Sequence, residues 1–97
     1  MHILMTIDVG NTNISLGLMA EQKVIGSFRL TTQTPRTSDE FGICIRSLMD
    51  SSGVKTDDVE DVIISSVVPK RMYALTASIR KYIKKEPLLV GPGMKTG

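Results

Sequence analysis

Ahead of residue 31, three apolar stretches follow one another with no connection long enough for a helix, and this limits the chain more than any other feature. Ile3 to Val9 is a compact apolar run. It is closed by Gly10, Asn11, Thr12 and Asn13, residues that favour turns through φ tolerance and side-chain hydrogen bonding. Ile14, Leu16 and Leu18 then alternate with Ser15, Gly17 and Met19, the period of a strand with one face more buried. After Glu21 and Gln22, Val24 to Leu30 alternates again. Short connections make sequential strands antiparallel neighbours, so the chain is expected to open with a three-stranded meander.

Further along, the period changes. Thr37 followed by Glu40 has the form of a capping box, and Phe41, Ile45, Leu48 and Met49 recur at helical spacing, which predicts a helix from about Ser38 to Asp50. It should stop near Ser51, Ser52 and Gly53. The acidic stretch Asp57 to Asp61 leads into Val62 to Val68, an apolar, β-branched run suited to a buried central strand. Pro69 suits a first helical position, and Met72, Leu75, Ile79, Tyr82 and Ile83 mark the inner face of a second helix. Pro87 to Val90 reads as a last short strand before Gly91, Pro92 and Gly93. Three strands, helix, strand, helix, strand describe an α/β fold with a mixed sheet and crossover helices.

The 97 residues fit one small domain, and 41% apolar with 23% charged residues is the balance of a globular chain that folds around a core. Aromatic residues make up only 4%, so Ile, Val, Leu and six Met must fill that core. A net charge of +2 gives no argument for nucleic acid. The single cysteine, Cys44, excludes an intrachain disulfide. The opening run is short and interrupted by Thr6 and Asp8, so it reads as neither signal peptide nor membrane span. A cytoplasmic protein is the expectation.

The strongest chemical candidate is the first hairpin, where Asp8, Gly10, Asn11, Thr12 and Asn13 gather one carboxylate and small polar groups at the mouth of two strands. Phosphate binding is a natural use: Gly10 lets backbone approach closely, Thr12 and Asn13 supply donors, and Asp8 could hold Mg²⁺ directly or through its waters. A plain polar hairpin with an edge Asp uses the same residues, and taken alone is the commoner case.

The run Ile7, Asp8, Val9, Gly10, Asn11, Thr12, Asn13 also resembles the phosphate-binding hairpin of type III pantothenate kinases. Arg36, Thr37, Ser38, Asp39 and Glu40 resemble the stretch opening that family's first helix. Ile64, Ser65, Ser66, Val67, Val68 and Pro69 resemble its strand-to-helix junction, and Val90, Gly91, Pro92, Gly93, Met94, Lys95, Thr96 and Gly97 its next landmark. The resemblance implies the actin-like fold shared with hexokinase, in which two similar domains close over ATP, with residues 1–97 supplying most of the first. It implies ATP binding by Asp8, Val9, Gly10, Asn11, Thr12, Asn13, Ile14 and Ser15, with Asp8 near Mg²⁺. The implied reaction is transfer of the γ-phosphoryl group to a hydroxyl of pantothenate. The family's catalytic aspartate lies in a motif beyond Gly97, as do its second domain and its ligand for a monovalent cation, K⁺ or NH₄⁺. These residues are therefore expected to be part of a longer protein and inactive alone, since one lobe has neither base nor closure. Homodimers are expected from the same resemblance. A non-catalytic relative, acting as a transcription accessory factor or a dimerisation module, is the alternative.

Other residues have blander readings. Asp39 and Glu40 sit in a first helical turn, where they stabilise the helix dipole. Lys70, Arg71, Arg80, Lys81, Lys84 and Lys85 read as a solvated outer face, without the interleaved aromatic series of a base-stacking surface. His2 beside the start Met and Cys44 off the apolar stripe carry no catalytic expectation, and Ser65 and Ser66 at a strand end stay unassigned.

Overall fold

The computed structural model describes residues 2–31, 36–66 and 72–90. Strands β1 (Ile3–Val9), β2 (Asn13–Ala20) and β3 (Lys23–Thr31) form the meander, followed by helix α1 (Ser38–Ser51), a single 3₁₀ turn at Thr56–Asp58, and β4 (Val59–Ser66). Helix α2 (Met72–Ser78) runs on as a π-helical stretch over Ile79–Ile83, and β5 (Leu88–Val90) is the last described element.

Among the described residues the sheet has five strands in the order β3-β2-β1-β4-β5. Pairs β1/β2 and β2/β3 are antiparallel, whereas β4 lies parallel to β1 and β5 parallel to β4. The mixed sheet with crossover helices is thus as expected, and so is the close agreement of β1 and α1 with their sequence patterns. Strand β4 starts earlier than Val62. Val59 is buried and pairs with Ile3, and a register shift between Ile3 and Leu4 absorbs Glu60 as an extra residue, so the two exposed acids do not interrupt the ladder. The expected strand residues Val67 and Val68, the helix-opening Pro69 and the segment from Gly91 to Gly97 lie outside the described residues.

Alternation explains which face is covered. Ile3, Met5, Ile7 and Val9 of β1, Ile14, Leu16 and Leu18 of β2, and Val62 and Ile64 of β4 all turn to one side. There they form a single cluster with Phe41, Ile45, Leu48 and Met49 of α1 and Leu75, Ile79 and Ile83 of the second helical segment. Both helices therefore cover the same face. On the other face Leu4, Thr6, Ser15 and Met19 are only half-buried and Asp8 is exposed. Polar residues that alternate with the core side chains are thereby presented together on an open sheet surface.

Helix α1 begins with the capping box: Thr37 Oγ1 accepts from the Glu40 N–H at 3.1 Å, and Glu40 Oε1 accepts from the Thr37 N–H at 2.9 Å. It crosses the second helical segment at Gly42, where a Cβ would lie 2.3 Å from the Tyr82 ring. The turn between β2 and β3 is two residues long, with Glu21 and Gln22 both at positive φ (50° and 69°), as in a type I′ hairpin.

Candidate active site

Asp8 sits at the carboxyl end of β1, next to the parallel β4 and the antiparallel β2. In open α/β sheets, ligands gather at the carboxyl ends of the parallel strands. Its register partners are Ser15 on β2 and Ser65 on β4, so three polar side chains stand in one row across adjacent strands on the open face. The Ser65 hydroxyl donates to Asp8 Oδ1 at 3.1 Å.

Beyond Asp8 the chain reverses through Gly10, Asn11 and Thr12. The Gly10 N–H donates to the Asn13 carbonyl at 2.9 Å and closes the loop, so it is not a donor for a phosphate. Gly10 also lacks positive φ; a Cβ there would sit 3.2 Å from the Asn13 carbonyl oxygen, which is why the smallest residue suits the position. Asn11, Thr12 and Asn13 are exposed, and the Asn13 amide donates to Thr12 Oγ1 at 3.3 Å. Val9 and Ile14 are buried in the core, so of the eight expected ATP-binding residues these two could offer a ligand only backbone groups. Asp8, Asn11, Thr12, Asn13 and Ser15 are brought to one end of the sheet with accessible side chains.

Among the described residues no group of three or more His, Cys, Asp or Glu side chains converges as a metal site. A single exposed carboxylate still fits Mg²⁺, which keeps several waters and takes one or two carboxylates together with substrate phosphates. A cleft among the described residues lies elsewhere, lined by His2, Ile3, Leu4, Met19, Glu21, Gln22, Glu60 and Asp61. It stands at the opposite end of β1, on the order of 20 Å from Asp8 at the rise of an extended strand. His2 there pairs with Glu60 and ties β1 to β4.

The stretch Arg36 to Glu40 ties the end of β3, where Thr31 pairs with Asn13, to the start of α1. Arg36 donates to the Thr31 carbonyl at the end of β3, Thr37 and Glu40 cap α1, and Asp39 accepts from Lys81 Nζ at 2.8 Å and Tyr82 Oη at 2.7 Å. The Lys81 hydrogen bond, then that of Tyr82, then the lysine charge hold the Asp39 carboxyl below its ordinary value; the bond to Asp39 correspondingly raises Lys81 and Tyr82. Arg80 pairs with Glu86 through two hydrogen bonds, 2.6 and 2.9 Å long. Two of the cations expected to be merely solvated are thus ion-paired at the surface, which the helical pattern by itself does not reveal. Cys44 is half-buried.

The sequence matches the family model for the type III pantothenate kinase over residues 4–97. The chain belongs to that family. Among its relatives is the type III pantothenate kinase of Bifidobacterium longum subsp. infantis, 48% identical over 95 residues. That match covers 98% of this chain but 37% of the relative, so the chain spans little more than a third of the length of such curated relatives. Solved structures give the fold. An ROK hexokinase from Thermus thermophilus superposes with a TM-score of 0.68 at 11% identity, covering 92% of this chain and 35% of that one. YeaZ from Pseudomonas aeruginosa does so with a TM-score of 0.65 at 18% identity, covering 94% of this chain and 44% of that one. The chain therefore has the actin-like, hexokinase-type α/β fold, with the hairpin around Asp8 at the carboxyl end of β1. No described helix is long and apolar enough to cross a membrane.

Proposed function

We propose that the protein carrying these residues phosphorylates pantothenate with ATP to form 4′-phosphopantothenate, opening coenzyme A synthesis. The family match across residues 4–97 carries this reading, and the placement of Asp8 beside an exposed polar hairpin supports it. Residues 1–97 would be most of the first of two actin-like domains and would hold the phosphates of ATP. In this reading Asn11, Thr12 and Asn13 face the phosphates with side-chain and backbone donors, while Asp8 holds Mg²⁺ through its carboxylate or its waters. When bound, Mg²⁺ neutralises charge on the transferring phosphoryl group. Asp8 carries no role as proton acceptor. The base for the pantothenate hydroxyl, the site for a monovalent cation and the cover over adenosine are assigned to the rest of a cytoplasmic homodimer. The role of the hairpin is positioning and charge neutralisation, which supply most of the catalysis in phosphoryl transfer.

The test is product analysis on the full-length protein. Incubation with ATP, Mg²⁺ and pantothenate should give ADP and phosphopantothenate in equal amounts, with the added mass on the hydroxyl end of the acceptor. ADP formation that is indifferent to pantothenate would refute the assignment.

A further inference from the structure

Asp8 has two cross-strand neighbours bearing hydroxyls, Ser15 and Ser65, yet the hydrogen bond found at its carboxylate comes from Ser65. The residues are 57 apart in sequence and meet because β4 runs parallel to β1 in a register that sets Asp8 beside Ser65. We infer that Ser65 is a positioning residue for the Asp8 carboxylate, selecting the orientation in which Oδ1 is held by the sheet and Oδ2 points to the metal-bound nucleotide. This rests on the reading of Asp8 as the Mg²⁺ carboxylate.

The physical basis is the softness of a carboxylate. The terminal torsion of Asp is broad, so an exposed Asp8 without a restraint would sample many orientations. A serine hydroxyl has one proton to give, and at 3.1 Å Ser65 gives it to Oδ1. One oxygen is then committed, and the other lone pairs are fixed in direction before the ligand arrives. Ser65 is half-buried on a strand whose neighbours Ile64 and Ser66 are anchored in the core, so its own position is rigid. With its proton engaged by Asp8, Ser65 is not a donor to substrate.

Calorimetry on the full-length protein tests this with β,γ-imido-ATP, titrated once with Mg²⁺ and once with EDTA. The ratio of the two affinities measures how much the metal contributes through the protein. Ser65→Ala should lower that ratio at least about tenfold, the lower end for one hydrogen bond to a charged group, with the metal-free affinity unchanged. Ser65→Thr, which keeps the hydroxyl, should restore it to within about twofold of the wild type by the same arithmetic. Asp8→Asn should remove the metal dependence. If Asp8→Asn abolishes it and Ser65→Ala leaves it intact, the inference falls and the metal assignment stands. If Ser65→Thr fails to rescue, packing rather than the hydroxyl explains the loss, and the inference falls again. An unchanged ratio in Asp8→Asn overturns the metal assignment, and Ser65's role with it.

Discussion

Substituting Gly42 by alanine puts two opposing effects on one atom. Alanine in a helix interior is worth about 0.8–1 kcal/mol over glycine. Against this, the new Cβ would lie 2.3 Å from Tyr82 Cδ1, 2.5 Å from Cε1 and 2.6 Å from Cγ. These are far inside van der Waals contact, and the atoms belong to the ring body, so a swing of a flexible tip does not relieve them. The ring must retreat by about 1.2–1.7 Å to reach ordinary carbon separation, and its hydroxyl would then leave Asp39. Overpacking of this kind costs about 1–3 kcal/mol and the lost contact adds to it, so Gly42→Ala should be net destabilising by about 1–2 kcal/mol. Urea unfolding of the full-length protein reads this as a lower midpoint at unchanged slope. The decisive control is the same substitution in a Tyr82→Ala background, where the clash is gone and Gly42→Ala should become stabilising by about 0.8–1 kcal/mol. Gly42→Ala that stabilises in the wild-type background would refute the crossing geometry.

Replacing Glu21-Gln22 by Asn-Gly should raise stability by about 1 kcal/mol, since both residues hold left-handed backbone that the new pair adopts with less strain; a lower urea midpoint would contradict the type I′ turn. Thr37→Ala should cost about 1 kcal/mol by breaking the capping box, read as a loss of thermal stability that Thr37→Ser restores. The clasp on Asp39 predicts a pH signature. Its lowered carboxyl contributes stability that is present above the ordinary carboxylate pKa and is lost as pH falls through the lowered folded value, so wild type and Asp39→Asn should converge in acid. Lys81 and Tyr82 are raised by the same contact, so their share is present at neutral pH and lost as pH rises through their raised folded values; the two proteins should converge again in strong base. A difference that stays constant across both limbs would remove the clasp.

The meander was legible because its period is local: Ile3 to Val9 and Ile14 to Leu18 alternate with turn residues between them, and no distant contact is needed to read that. Helix α1 was equally readable from Thr37, Glu40 and the spacing of Phe41, Ile45, Leu48 and Met49. Features that depend on two elements meeting were not. The approach of Tyr82 to Gly42 and of Lys81 to Asp39 requires the crossing of α1 with the π-helical stretch, and no helical pattern predicts a π turn. Strand β4 was read from its apolar run alone, whereas backbone pairing with β1 extends it through Glu60 and Asp61, whose exposed side chains do not oppose the ladder. The hairpin was read as a candidate site from its turn residues and its family resemblance; within it Gly10 closes the loop and Val9 and Ile14 serve the core. The Ser65–Asp8 contact depends on the parallel register of β1 and β4, which no local pattern states.

The measurement closest to the central claim is steady-state turnover of the full-length protein with ATP and pantothenate, comparing wild type with Asp8→Asn at saturating Mg²⁺. If the strand-end carboxylate holds the metal on the phosphates, kcat should fall by at least about a hundredfold, or about 2.7 kcal/mol of barrier. The thermal midpoint and the KM for pantothenate should stay near wild type. Unchanged turnover in Asp8→Asn would contradict the account of the site.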